Sequence, residues 1–160
     1  METRLNLMET AVGSKVGKRF YATSKVVAES SLPKSLQDLL ALRISQINGC
    51  GFCVDIHTKD AQAAGETDLR LHLVAAWRHT TVFTDAERAA LALAEEGTRI
   101  TVPGEVVSDA TWEQVRKHFD EDQLAALICL IALMNASNRM ALIPNTPGGS
   151  YAPGVFAALD

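Results

Sequence analysis

Eleven consecutive apolar residues, Leu124 to Met134, follow directly on Asp120-Glu121-Asp122-Gln123. A capping Asp with a Gln three positions later is a helix-start signature. The helix it launches, to about Leu142, is apolar on nearly every side through Met134, which predicts a central or an interface helix. The apolar run itself is shorter than a bilayer span requires. No strand-like alternation lasts beyond a few residues, and there are no repeats or low-complexity tracts. The chain is therefore expected to be an all-α, single-domain helical bundle over residues 1–160.

The remaining helices can be placed from their caps and breaks. The first is predicted from about Glu9 into the twenties, with Val12, Val16, Phe20 and Val27 marking its apolar face and Gly13 and Gly17 weakening it. Ser31 is the expected cap and Pro33 the first turn of a second helix, which runs to about Ile47. Leu36, Leu39, Leu40 and Arg43 give it a mixed face, and Asn48-Gly49 closes it. A third helix is expected from about Cys50 to Ala64, with Gly65 ending it, and a fourth from Asp68 to Arg78. Thr84-Asp85-Ala86-Glu87 is a capping box that opens a fifth helix, to about Thr98. Pro103-Gly104 reads as a turn, and another helix covers about Ala110 to His118. The tail from Pro144 is rich in Pro and Gly, predicting coil that lies over a neighbour or frays.

A chain of 160 residues and 17.3 kDa suits one domain with a real core. A net charge of −4 and a pI near 5.5 argue against nucleic acid as the main partner. Met1 to Leu7 lacks an apolar core of the signal-peptide type. The reading is thus a cytoplasmic protein with no membrane partner. In that compartment a C-x-x-C motif points to redox or metal chemistry rather than to a structural staple. The third cysteine, Cys129, lies inside the apolar run and is expected to be a buried, inert thiol.

Chemistry concentrates in Asn48-Gly49-Cys50-Gly51-Phe52-Cys53-Val54-Asp55-Ile56-His57. Two of the three cysteines and one of the four histidines fall there. With Cys50 opening a helix and Asn48 or Gly49 as its cap, offsets of three and four put Cys50, Cys53 and His57 on one face. The two sulfurs are within reach of a disulfide, and the imidazole sits one turn further on. Helix N-terminal N–H groups favour a thiolate at Cys50, and a basic imidazole favours one at Cys53. The sulfurs thus have different activators, as a pair that takes turns needs.

Leu42-Arg43-Ile44-Ser45-Gln46-Ile47-Asn48-Gly49-Cys50-Gly51-Phe52-Cys53, with His57 after it, resembles the alkylhydroperoxidase D core of the carboxymuconolactone decarboxylase-like family. Gly65-Glu66-Thr67, Ala75-Ala76-Trp77-Arg78, Glu87-Arg88-Ala89-Ala90-Leu91 and Asn135-Ala136-Ser137-Asn138-Arg139 fit its single-domain members too. The likeness covers roughly Leu36 to Arg139. It implies an all-α fold assembled as trimers, sometimes paired into hexamers. It also implies a thiol-dependent peroxidase that uses a hydroperoxide, an external dithiol reductant and no cofactor. By the same resemblance Cys53 is peroxidatic, Cys50 resolving and His57 part of a proton relay. The family glutamate twelve positions before the first cysteine is here Asp38, a shorter carboxylate that calls for an intervening water. Some members carry a histidine just before the second cysteine. Here it is Phe52, which reduces the relay to Asp38, His57 and water.

Other readings of the same residues remain. Cys50, Cys53 and His57 could hold a metal at a site with an open position, although structural zinc wants four ligands. Haem attachment is disfavoured, because no histidine directly follows Cys53. The pair could also switch a redox sensor or an assembly module without turnover. Decarboxylation ranks low, because that branch of the family does not rely on the cysteine pair. Ser45 and Asn48 could both support the site by hydrogen bonding, although capping alone explains Asn48. His72, His79 and His118 have no local partner pattern and read as surface residues. Asn138 and Arg139 are expected to bond across helices or subunits, without a part in the chemistry.

Overall fold

The computed structural model describes residues 2–100, 104 and 106–155. Seven α-helices and no strand are found among them: α1 (Ala11–Ala28), α2 (Lys34–Asn48), α3 (Gly51–Ala63), α4 (Asp68–Leu73), α5 (Asp85–Thr98), α6 (Asp109–His118) and α7 (Glu121–Leu142). Both predicted capping boxes form, at Thr84 with Glu87 and at Asp120 with Gln123. The second helix differs at its start. Pro33 occupies the cap position without a side-chain bond, and Ser31 does not cap. Of the predicted Pro103-Gly104 turn, Pro103 lies outside the described residues, as do residues 156–160 of the tail.

The central helix is α2, and the apolar α7, expected as a central or an interface helix, packs against it with one face. Leu39, Leu40, Leu42 and Ile44 are fully buried, each contributing roughly 1.5–3 kcal/mol by leaving water. The helix α2 packs against α3, α5 and α7. The polar residues that made it look mixed are provided with internal partners. Gln37 Nε2 donates to Leu32 O at 2.8 Å, Ser45 Oγ donates to Ala41 O at 2.8 Å, and Arg43 Nε donates to Glu95 Oε1 at 2.8 Å. On α5, Ala89, Ala90 and Ala94 are buried, and their small side chains let the two helices lie close.

The fourth predicted helix breaks. After α4 the chain tightens into a 3₁₀ turn, Val74–His79, with Ala76 off helical geometry. Side chains three apart eclipse in such a turn, so Val74 and Trp77 both enter the core.

By length and apolarity alone α7 could cross a bilayer, with a mean hydropathy of 1.5. Here Leu124, Leu127, Ile131 and Met134 face α2 and α5, while Ala125, Ile128, Cys129 and Ala132 are exposed. Cys129 is therefore not the buried thiol expected; its helix has only one covered face. The predicted apolar face of α1 fares similarly. Val27 joins the core, but Val12 and Val16, at the other end of α1, are exposed. His72, His79 and His118 are all exposed.

Candidate redox site

The corner between α2 and α3 builds the site. Gly49 takes the left-handed conformation (φ 69°) that ends α2, and Cys50 N donates to Ser45 O at 3.0 Å. Cys50 is itself the cap of α3, a position expected for Asn48 or Gly49, and its Sγ accepts from Cys53 N at 3.3 Å. Cys50 and Cys53 form a disulfide with Cα atoms 5.3 Å apart. Both are buried, in a small apolar cluster with Ala141 of α7 and Phe52, apart from the main core.

A polar network holds this corner to α7. Asn48 Nδ2 donates to Asn138 Oδ1 at 2.8 Å and to Asn135 Oδ1 at 3.0 Å. Asn138, fully buried, donates in turn to Ser45 Oγ at 3.1 Å. Asn48 is thus a cross-helix bridge, not a cap. Asn138 bonds across helices as expected, whereas Arg139 bonds to Asn135 within its own helix.

His57 lies on α3 one turn beyond Cys53, so both side chains share a face. Burial, aided by the charge of Lys34, lowers its pKa from 6.5 to about 4, so the ring is neutral at pH 7. Asp38, on α2, is buried and bonded to Lys34 one turn earlier. Burial raises its pKa, Lys34 opposes the rise, and the charges of Asp60 and Glu66 add to it. Among the described residues no hydrogen bond is formed between Asp38 and His57; Lys34 is the group that acts on both. Lys34 was missed as a site residue, although its i,i+4 spacing to Asp38 is visible in the sequence.

The depressed pKa of His57 fixes the sign of a pH effect. Between pH 6.5 and 4 the unfolded chain binds a proton that the folded one refuses, so stability falls as pH drops through that window. Asp38, raised, acts with the opposite sign. Replacing His57 with Gln is expected to flatten the decline of the thermal midpoint of the oxidised protein from pH 7 to pH 4.5. Parallel curves for the two proteins would remove the effect.

Residues 146–152 of the tail are coil, as expected, and lie over a neighbouring helix. They fold back onto α3 of their own chain, where Asp55 accepts from two of their backbone N–H groups. No group of three or more His, Cys, Asp or Glu side chains among the described residues is placed to hold a metal.

The sequence profile described as the carboxymuconolactone decarboxylase family matches residues 15–96. The chain is also 38% identical over 118 residues to the uncharacterized protein YdfG of Bacillus subtilis, covering 74% of this chain and 79% of that protein. The chain belongs to the carboxymuconolactone decarboxylase family. Solved structures agree with that placement. A protein of unknown function from Agrobacterium tumefaciens, a candidate antioxidant defence protein AhpD, superposes with a TM-score of 0.86 at 30% identity, over 94% of this chain and 100% of that one. An uncharacterized peroxidase-related protein from Ralstonia eutropha, described as an alkylhydroperoxidase AhpD core, gives 0.74 at 21% identity, over 86% of this chain and 72% of that one, and bears on the fold alone. This family member thus has the AhpD-type fold and carries a close cysteine pair at the start of α3.

Proposed function

We propose that the protein reduces hydroperoxides through a dithiol–disulfide cycle at Cys50 and Cys53. The observation that carries this reading is the pairing of the two sulfurs at the mouth of α3, with a neutral imidazole one turn away. In the reduced state His57, directly or through a water, takes the proton of Cys53. The thiolate attacks the distal peroxide oxygen; the O–O bond breaks and the alkoxide leaves, taking a proton to become the alcohol. Cys53 is now a sulfenic acid. The Cys50 sulfur then attacks Cys53, forming the disulfide and releasing water. An external dithiol returns two electrons and two protons by exchange.

Asp38 is assigned to positioning. Its carboxylate holds Lys34, whose charge acts on His57, and a water would complete the link between carboxylate and ring. The thiolate formed on reduction adds a negative charge near His57, which favours the protonated ring that the disulfide form lacks. The base is therefore weak when the pair is oxidised and stronger when it is reduced. The Cys53 thiol of His57→Ala should titrate about one unit or more above wild type. Equal thiol pKa values would take His57 out of the mechanism.

The exposed apolar stripe of α7 also supports self-association, with copies of the chain covering Ala125, Ile128 and Ala132 in a trimer or a pair of trimers. Light scattering on the purified chain tests this; a monomer at all concentrations overturns it.

Turnover separates the enzyme from a switch. With dithiothreitol in excess, wild type should consume many equivalents of an organic hydroperoxide per chain. Consumption that stops at one equivalent identifies a redox sensor and overturns the peroxidase reading.

A further inference from the structure

The disulfide is closed to solvent: Cys50 is 1% and Cys53 3% exposed. Yet its proposed cycle needs a dithiol to reach one of the sulfurs. Immediately after α7 the chain turns, with Thr146 N donating to Ala141 O at 2.9 Å, and residues 146–151 then run across α3. Ala141 is the same residue that packs on the disulfide.

The contact between tail and helix is specific. Gly148 lies directly on the first turn of α3. A Cβ there would sit 2.4 Å from Gly51 O and 3.0 Å from Phe52 N, both backbone atoms between the two cysteines. Only a residue without a side chain fits. Beyond it, Asp55 Oδ2 accepts from Gly149 N at 2.7 Å and from Tyr151 N at 3.0 Å. Lys59 Nζ donates to Tyr151 O at 2.9 Å and pairs with Asp55 Oδ1 at 2.6 Å. Tyr151 OH meets both oxygens of Asp60, at 2.9 and 3.0 Å. Asp55, Lys59 and Asp60 are all on α3, the helix that carries Cys53 and His57.

We propose that residues 146–151 form a strap that gates reduction of the Cys50–Cys53 disulfide. An external dithiol reaches the sulfurs only when the strap has lifted from the first turn of α3. This inference rests on the redox reading of the pair. The gated step is thiol–disulfide exchange. A reductant thiolate attacks one sulfur and the S–S bond breaks. The second reductant thiol then resolves the mixed disulfide, leaving the protein with two thiols and the reductant oxidised. Every anchor of the strap lies outside the groups assigned to the chemistry. Its strength can therefore be changed without touching Cys50, Cys53 or His57. The anchors are mostly hydrogen bonds between a loop and half-buried charged side chains of α3, and such a loop can open locally without global unfolding.

The test is the rate of disulfide reduction in the full-length oxidised protein, with dithiothreitol in excess. Gly148→Ala forces the strap off the Gly51 carbonyl, and Asp55→Ala removes the acceptor of two strap N–H groups. Each should speed reduction by about tenfold or more, since each loses a tight contact or two charge-assisted bonds that hold the closed form. Circular dichroism checks that the helices persist; a variant that loses them is set aside and the other decides. Reduction within twofold of wild type in the folded variants overturns the strap. No peroxide enters the measurement. A wild type that fails to turn over peroxide while these variants still reduce faster refutes the peroxidase reading and leaves the gate standing.

Discussion

Replacing Cys53 with Ser is expected to abolish peroxide consumption, by at least about a thousandfold, because a hydroxyl with an unshifted pKa offers almost no nucleophile near pH 7. Cys50→Ser should behave differently. Its Cys53 thiol is still present, so the first equivalent of peroxide should be consumed at a rate near wild type. The cycle then halts, because no second sulfur condenses with the sulfenic acid. A sulfenate trap distinguishes the two: label in Cys50→Ser, none in Cys53→Ser. The reverse pattern would exchange the roles. The assignment has a structural reason beside the family likeness. Cys50 caps α3 and its sulfur accepts the Cys53 N–H, whereas Cys53 lies within the helix on the face that His57 shares. An imidazole one turn away serves Cys53, while Cys50 depends on the helix terminus.

Much of this site could be read from the order of residues because its parts are local. Cys50, Cys53 and His57 fall within eight positions, and helical spacing alone puts them on one face. The stops and starts around them were equally local: Gly49 in the left-handed region, and the boxes at Thr84 and Asp120. Misreadings arose where a residue answers to a distant partner. Asn48 has a sufficient local explanation as a cap, yet its amide spends its donors on Asn135 and Asn138, almost ninety residues away. Asp55 likewise answers to the tail, accepting from the backbone N–H groups of Gly149 and Tyr151, more than ninety residues away. The deeper burial of α2 than of α7 has the same origin. Hydropathy ranks α7 first, but it counts polar atoms without knowing whether they are paired. In α2 they are paired, so the mixed helix is buried and the uniformly apolar one keeps a bare face.

Glu95→Ala is expected to destabilise the fold by about 3 kcal/mol, the largest single loss outside the apolar core, since removing one member of a buried charge cluster strands the rest. Glu95 is 4% exposed and gathers groups from separate elements. Its Oε1 accepts from Arg43 Nε at 2.8 Å, Arg43 Nη2 at 2.5 Å and Trp77 Nε1 at 3.0 Å, and its Oε2 accepts from Arg78 Nη2 at 3.1 Å. Arg78 also stacks on Trp77, with its guanidinium carbon 4.3 Å from the ring centroid. The cluster therefore ties α2, the 3₁₀ turn and α5 together at the point where the fourth predicted helix breaks. Without the carboxylate, Arg78 can turn to water, because it is half exposed. Arg43 and the Trp77 N–H cannot, since both are covered by neighbouring helices, and their desolvation is then uncompensated. Burial alone would raise the pKa of Glu95, but the bonds from Arg43, Trp77 and Arg78 outweigh it and hold the pKa below the usual 4.5. The contribution is thus complete above pH 4.5 and is lost as pH falls through the depressed value. Denaturant unfolding at pH 7 gives the loss directly, and Glu95→Gln separates charge from shape. Gln keeps one acceptor for Trp77 and Arg43, so it should recover part of the stability. A Glu95→Ala variant within about 0.5 kcal/mol of wild type, the scale of an ordinary surface change, would mean that the arginines find water without cost and that the junction is held by packing alone.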